Sequence, residues 1–166
     1  MAEQFSGHVL RGTEPTNDLV ARYAESPARL AEAVAGASAS DLDRVSAPGE
    51  WSARTVLAHL RDDEFMVTRP RMARILVEDH PKLAPFDEQA WAERRNRADD
   101  ARDAIIEGFR IQRAATIALL RLVREADWAR LGTQPEIGTF DLRWWVEHCL
   151  EHDEVHIAQS ARALGK

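Results

Sequence analysis

The sequence predicts an all-α fold, a four-helix bundle. Apolar residues recur at helical spacing through four long stretches, and Pro- or Gly-containing segments separate those stretches. No strand-period alternation of useful length appears, and no internal repeat. Four amphipathic helices joined by moderate loops close most readily as a bundle. At 166 residues, 45% of them hydrophobic, the chain has material for one full core. Residues 1–14, with Gly7 and Gly12, read as an irregular arm, and residues 15–166 as a single helical domain.

The first helix is expected from about Pro15 to Ala35. Leu19, Tyr23, Leu30 and Val34 give it an apolar side, and Pro27 is a candidate interruption. Residues 41–50 read as a connection ending in the Pro48-Gly49 turn. Ser52 is a good N-cap for the second helix, with Trp51 just outside it as a hydrophobic staple. That helix runs through Leu60 and Val67 to about Val77, with a kink expected at Pro70. Residues 80–87, holding Pro81 and Pro85, form the strongest loop signal, and a short helix covers Glu88 to Arg95. The third long helix, about Ala98 to Glu125, repeats apolar residues at Ile105, Phe109, Ile111, Leu119 and Leu122. Residues 131–139 read as a loop whose Thr139 caps the fourth helix, which extends to about Leu164.

Composition narrows the function classes. The formal net charge of −6, without a Lys/Arg cluster, argues against nucleic-acid binding. The lone cysteine, Cys149, rules out a disulfide framework and fits a reducing compartment. It lies on an apolar stripe and reads as a buried, inert thiol. No charged-then-apolar leader opens the chain and no segment approaches 18 apolar residues, so a soluble, cytoplasmic protein without membrane contact is expected. A homodimer is compatible with this surface.

The chemistry is concentrated in the last helix. His148, His152 and His156 follow one another at four-residue spacing. Four residues advance a helix by about 400°, so successive members stack roughly 6 Å apart along the axis. Two imidazoles on successive turns can converge on one transition metal. On a helical wheel Leu142, Trp145, Val146 and Cys149 define the inward stripe. His156 lies on it, His152 at its edge and Asp153 near its centre, whereas His148 falls on the flank. The inward pair is therefore His152 and His156. The same run also fits the H-x-x-E-H pattern of inverted zinc peptidases, but that pairing needs the flank histidine. For a third ligand, His8 and His80 lack a fixed inward direction. His59 sits about two turns into a capped helix, one turn before Asp63 and at the edge of the Val56/Leu60/Val67 stripe, and is the best candidate.

These residues resemble a known family. Trp51-Ser52-Ala53-Arg54 leading to Leu57-Ala58-His59-Leu60, then Glu151-His152-Asp153 and His156-Ile157-Ala158-Gln159, look like the DinB/YfiT-like metalloenzymes. Glu78-Asp79 with Pro81, Pro85-Phe86-Asp87 with Trp91, and Asp127-Trp128 before Pro135-Glu136-Ile137-Gly138 extend the likeness from about Leu19 to Ala163. The resemblance implies a four-helix bundle of up-down-down-up course. It also implies a metal triad that falls here on His59, His152 and His156. Where many relatives carry a histidine before the Pro-Glu-x-Gly loop, this chain has Gln134, which puts a ligand or substrate role from that loop in doubt.

Three neutral imidazoles would hold one divalent transition metal, zinc or nickel first, with iron or manganese as alternatives, and leave positions open for water or substrate. Asp63, Asp153 and Glu64 are candidates to orient a ligand imidazole through its remaining N–H. The resemblance implies thiol-dependent S-transfer, with a small-molecule thiol and an electrophilic substrate as partners. A metal-dependent hydrolase and a metal-binding stress protein without turnover stay open beside it.

Overall fold

The computed structural model describes residues 12–95 and 100–166. His8, the arm through residue 11 and the expected helix start at Ala98 lie outside them. The first long helix is broken into α1 (Thr16–Ala24) and α2 (Ser26–Ala33), with Pro27 in the first turn of α2. Proline tolerates that position because its missing N–H would be unpaired there anyway. The connection contains a short helix, α3 (Ala39–Asp43), that sequence reading left as loop; a reciprocal capping box between Ser38 and Asp41 builds it.

The second long helix begins as α4 (Ala53–Asp63), capped by Ser52, whose Oγ accepts from the Thr55 N–H. It passes through a π-helical turn, Glu64–Thr68, into α5 (Arg69–Val77). Pro70 accounts for the irregularity: its ring cannot donate to the carbonyl four residues back and crowds it, so the preceding turn widens. The Arg69 N–H accordingly reaches the Glu64 carbonyl, five residues back. The helix thus continues through the widened turn. A short α6 (Glu88–Arg94) follows, its N-cap supplied by Asp87.

The third long helix, α7, spans Arg102–Leu120 and stops short of the expected Glu125. A 3-10 turn occupies Glu125–Ala129. Residues 131–141 form a two-stranded antiparallel hairpin rather than a loop, β1 (Leu131–Gln134) with β2 (Gly138–Asp141). Each strand has four residues, too few for alternation to be read. Gly132 lets β1 lie close over α5, because a Cβ there would stand 3.0 Å from Ile75 Cγ1 and 3.1 Å from Leu83 Cδ1. The last helix, α8 (Leu142–Ala163), is capped by Asp141 in place of Thr139, with Asp141 Oδ1 accepting from the Trp144 N–H at 2.8 Å.

Two apolar clusters fix the course of the chain. One gathers the start of the first helix (Leu19, Tyr23), the end of the second (Met72, Ile75), the end of the third (Ile117, Leu120) and the start of α8 (Trp145, Val146). The other gathers the opposite ends: Leu30 and Val34, Leu57 and Leu60, Ile105 and Phe109, Ile157 and Ala163. The first and fourth helices therefore run one way and the second and third the other, an up-down-down-up four-helix bundle. No described helix is long and apolar enough to cross a membrane.

Between the clusters lies a buried polar layer. Arg113 is 2% exposed and touches all four long helices. Its Nη1 donates to Asp153 Oδ2 and to the Tyr23 carbonyl, each at 2.7 Å, and its Nη2 donates to Glu64 Oε2 at 3.0 Å. Tyr23 closes the loop by donating to the same Glu64 oxygen, and its ring lies 3.6 Å from the Arg113 guanidinium carbon. Buried charges survive in a core only when paired and hydrogen-bonded in this way.

Candidate metal centre

The inward stripe of α8 and the inward face of α4 meet beside this polar layer. His59, His152 and His156 converge there, with one nitrogen from each lying within 4.8 Å of the others. His59 Nε2 stands 3.2 Å from His152 Nε2, and the His152 and His156 ring centroids are 4.4 Å apart. Two nitrogens each about 2.0–2.1 Å from a tetrahedral ion sit roughly 3.3 Å apart, so the donor set fits a divalent metal. His59 and His156 are buried and His152 is partly exposed. Burial, followed by the neighbouring His156, pushes the pKa of His59 and of His152 well below the usual imidazole value. Both rings are thereby kept neutral, the form a metal requires.

His156 is oriented by a residue that sequence reasoning passed over. Its Nδ1 donates to Gln159 Oε1 at 2.7 Å, which turns the Nε2 lone pair toward the other histidines. The signal was present: Gln159 is one turn beyond His156 on the same face. His59 Nδ1 is buried and makes no hydrogen bond among the described residues.

The three carboxylates expected to orient the ligands are engaged elsewhere. Asp153 and Glu64 hold Arg113. Asp63 accepts from the Thr68 hydroxyl at 2.9 Å, and burial raises its pKa to about 7. Asp153 sits at the stripe centre and so faces the bundle axis, where the arginine is, rather than the imidazoles at the stripe's edge. The Gln134 amide serves its own turn, with Oε1 accepting from the N–H groups of Glu136 and Ile137 at 2.6 and 2.7 Å. His80 bonds Thr133, not the triad. Cys149 is buried 3.8 Å from the Thr68 hydroxyl, and burial lifts its pKa well above the ordinary thiol value, so it stays protonated.

Trp51 does more than staple α4. Its ring lies nearly parallel to that of His156, with centroids 6.3 Å apart, and meets the His59 ring edge-on at 5.1 Å. Trp91 of α6 meets His59 at 5.4 Å and Trp51 at 5.9 Å. Two half-buried indoles thus wall the ligands and exclude water from one side.

His148 is set apart from the triad. It stacks on Trp144, with centroids 4.9 Å apart and planes 9° from parallel. Burial, with help from Arg71, lowers its pKa to about 4. In the unfolded chain a histidine titrates near 6.5, so between pH 6.5 and 4 the unfolded state binds the extra proton. The neutral ring's contribution is complete above pH 6.5 and is lost as pH falls toward 4. His148→Gln should therefore reduce the acid-side slope of stability against pH by up to about 1.4 kcal/mol per pH unit. Chemical denaturation at pH 4.5, 5.5 and 6.5 measures it; parallel curves for variant and parent would show that His148 is not held neutral.

The comparisons with known proteins agree with this arrangement. The DinB superfamily profile matches residues 22–160. "Putative metal-dependent hydrolase YfiT" of Bacillus subtilis (strain 168) is 30% identical over 148 residues, 85% of this chain and 81% of the relative. A "Putative metal-dependent hydrolase" of Geobacillus thermodenitrificans (strain NG80-2) is 31% identical over 128 residues, 71% of this chain and 66% of the relative. The solved structure of YfiT from Bacillus subtilis, described as "a probable metal-dependent hydrolase with an unusual four-helix bundle topology", matches with a TM-score of 0.78 at 26% identity. That match covers 93% of this chain and 90% of the other. A family profile that takes in all four long helices and the three convergent histidines establishes that the chain belongs to the DinB superfamily.

Proposed function

We propose that the protein is a metal-dependent S-transferase, joining a small-molecule thiol to an electrophilic carbon. A divalent metal held by His59, His152 and His156 would lower the pKa of a bound thiol or water and polarise a carbonyl. The chain's own residues keep the His59 and His152 imidazoles neutral by burial, orient His156 through Gln159, and close one side with Trp51 and Trp91. In the reaction the thiol gives its proton to solvent, its sulfur bonds to the electrophilic carbon, and the leaving group departs with the bonding electron pair.

One observation carries the preference for a thiol over water as nucleophile. The three carboxylates beside the ligands in sequence are already committed, Asp153 and Glu64 to Arg113 and Asp63 to Thr68. A metal brings bound water to a pKa of about 7, but hydrolysis also asks for a group that moves a proton between that water and the leaving group. A thiol, with an unperturbed pKa near 8.5, would need only to lose its proton to solvent and asks for no such group. The hydrolase reading is favoured by the names of the relatives, and the same preparation distinguishes the two. Cobalt-substituted protein should develop a thiolate-to-cobalt absorption band when glutathione, bacillithiol, mycothiol or coenzyme A is titrated in, and should conjugate a model alkyl halide. A cobalt spectrum unmoved by all four thiols, together with metal-dependent cleavage of esters or amides, would replace the transferase by a hydrolase. Thiol silence with no turnover would leave a metal-binding protein.

A further inference from the structure

Arg71 lies near His148, one helical turn before the ligand His152, and has no carboxylate within salt-bridge distance among the described residues. Of the other arginines of the second long helix and its cap, Arg54 pairs with Asp43, Arg61 with Asp62 and Asp100, and Arg74 with Glu78, whereas Arg69 donates to the Gln112 carbonyl and lies over the Phe65 ring. Arg71 is half-buried and donates to the Ala84 carbonyl at 2.5 Å, but among the described residues it forms no ion pair. Its guanidinium carbon rests 5.0 Å from the centre of the Trp145 ring. Trp145 in turn lies 5.3 Å from the His148 ring, and His148 precedes the ligand His152 by one helical turn, about 6 Å along the axis. The Arg71 side chain leans toward the start of its own helix, hence toward His59.

We propose that Arg71, braced on Trp145, is a specificity-determining residue that binds a carboxylate of a substrate whose other end reaches the metal. The ligand class is an elongated small molecule carrying a metal-binding group at one end and a carboxylate at the other. The inference rests on the S-transferase reading only for the identity of the metal-binding group, which it takes to be a thiol. Guanidinium is suited to the task because its planar fork binds a carboxylate through two parallel N–H groups. Contacts with the Trp145 ring and the Ala84 carbonyl restrain the side chain before the ligand arrives, reducing the ordering cost of binding. Three acids, Asp63, Glu88 and Glu136, act on Arg71, and Glu136 is engaged by the Gln134 amide, which donates to its Oε2 at 3.1 Å. Burial raises the pKa of Asp63 and of Glu88, so neither offers a fully formed carboxylate at low cost.

Matched ligand pairs test the assignment on the full-length cobalt-substituted protein, read as binding curves from the cobalt spectrum. 6-Mercaptohexanoate should bind about 10-fold more tightly than 6-mercaptohexanol, the gain from one charge-assisted bidentate contact. Adipate should likewise exceed hexanoate by about 10-fold. Arg71→Gln should erase both preferences while leaving mercaptohexanol and hexanoate where they were, and Arg71→Lys should keep part of each. Arg74→Gln, one turn away on the same helix, should change nothing. If the thiols are silent but adipate still exceeds hexanoate in an Arg71-dependent way, the thiol reading fails and the carboxylate site stands. Absence of a preference in the adipate pair, or one that survives Arg71→Gln, overturns the site.

Discussion

Replacing Arg113 by methionine should lower stability by about 3–5 kcal/mol, because it strands two buried carboxylates without their cation. Glu64 and Asp153 are each 2% exposed and both bond the guanidinium, so neither can recover its lost partner from solvent. For a chain of this size that loss lowers the melting temperature by roughly 6–20 °C. Methionine keeps most of the volume, which makes the charge rather than a cavity the cause. Combining Arg113→Met with Glu64→Gln should restore part of the loss, since one of the stranded charges is then removed. Differential scanning calorimetry on parent, single and double variants gives the numbers. A single variant that melts with the parent would mean that the layer between the two apolar clusters is not the cross-brace of the bundle.

Removing any one of His59, His152 or His156 as alanine should weaken metal binding by more than 100-fold. Losing even an outer residue that orients a ligand costs 10- to 100-fold, and losing a ligand removes a bond to the ion itself. Gln159→Ala should fall in that smaller range, because it frees the His156 ring without removing its nitrogen. His148→Ala should leave affinity unchanged, since His148 is stacked on Trp144 outside the converging set. Competitive titration against a chromogenic chelator separates the three outcomes. Equal losses at His148 and His152 with none at His156 would return the H-x-x-E-H pairing.

Much of the site was legible because α8 is a regular helix and its wheel angles translate directly into facing. His152 and His156 stack on the inward stripe, Cys149 is buried beside them, and His148 is displaced to the flank. His59 was legible because Ser52 fixes where α4 begins. What escaped notice depends on tertiary partners. Asp153 lies where the wheel puts it, yet its partner is Arg113 on another helix, so an expected orienting residue became part of the core brace. Arg113 itself left a trace in the sequence: it follows Ile105 and Phe109 at four-residue spacing on the buried face of α7. The π turn before Pro70 and the hairpin over α5 depend on local crowding and on strands of four residues, neither of which leaves a periodic signal. The third helix ends at Leu120 although apolar residues continue, and Leu122 is 82% exposed, so the periodic pattern outran the helix.

The central claim is that His59, His152 and His156 form one metal site and that His148 takes no part in it. Crystals of the protein loaded with zinc, measured on either side of the zinc absorption edge, test this most directly. A single anomalous peak is expected within about 2.0–2.1 Å of one nitrogen from each of the three histidines, with none at His148. A peak bridging His148 and His152 with His59 remote, or no peak among the three in fully loaded protein, would contradict it.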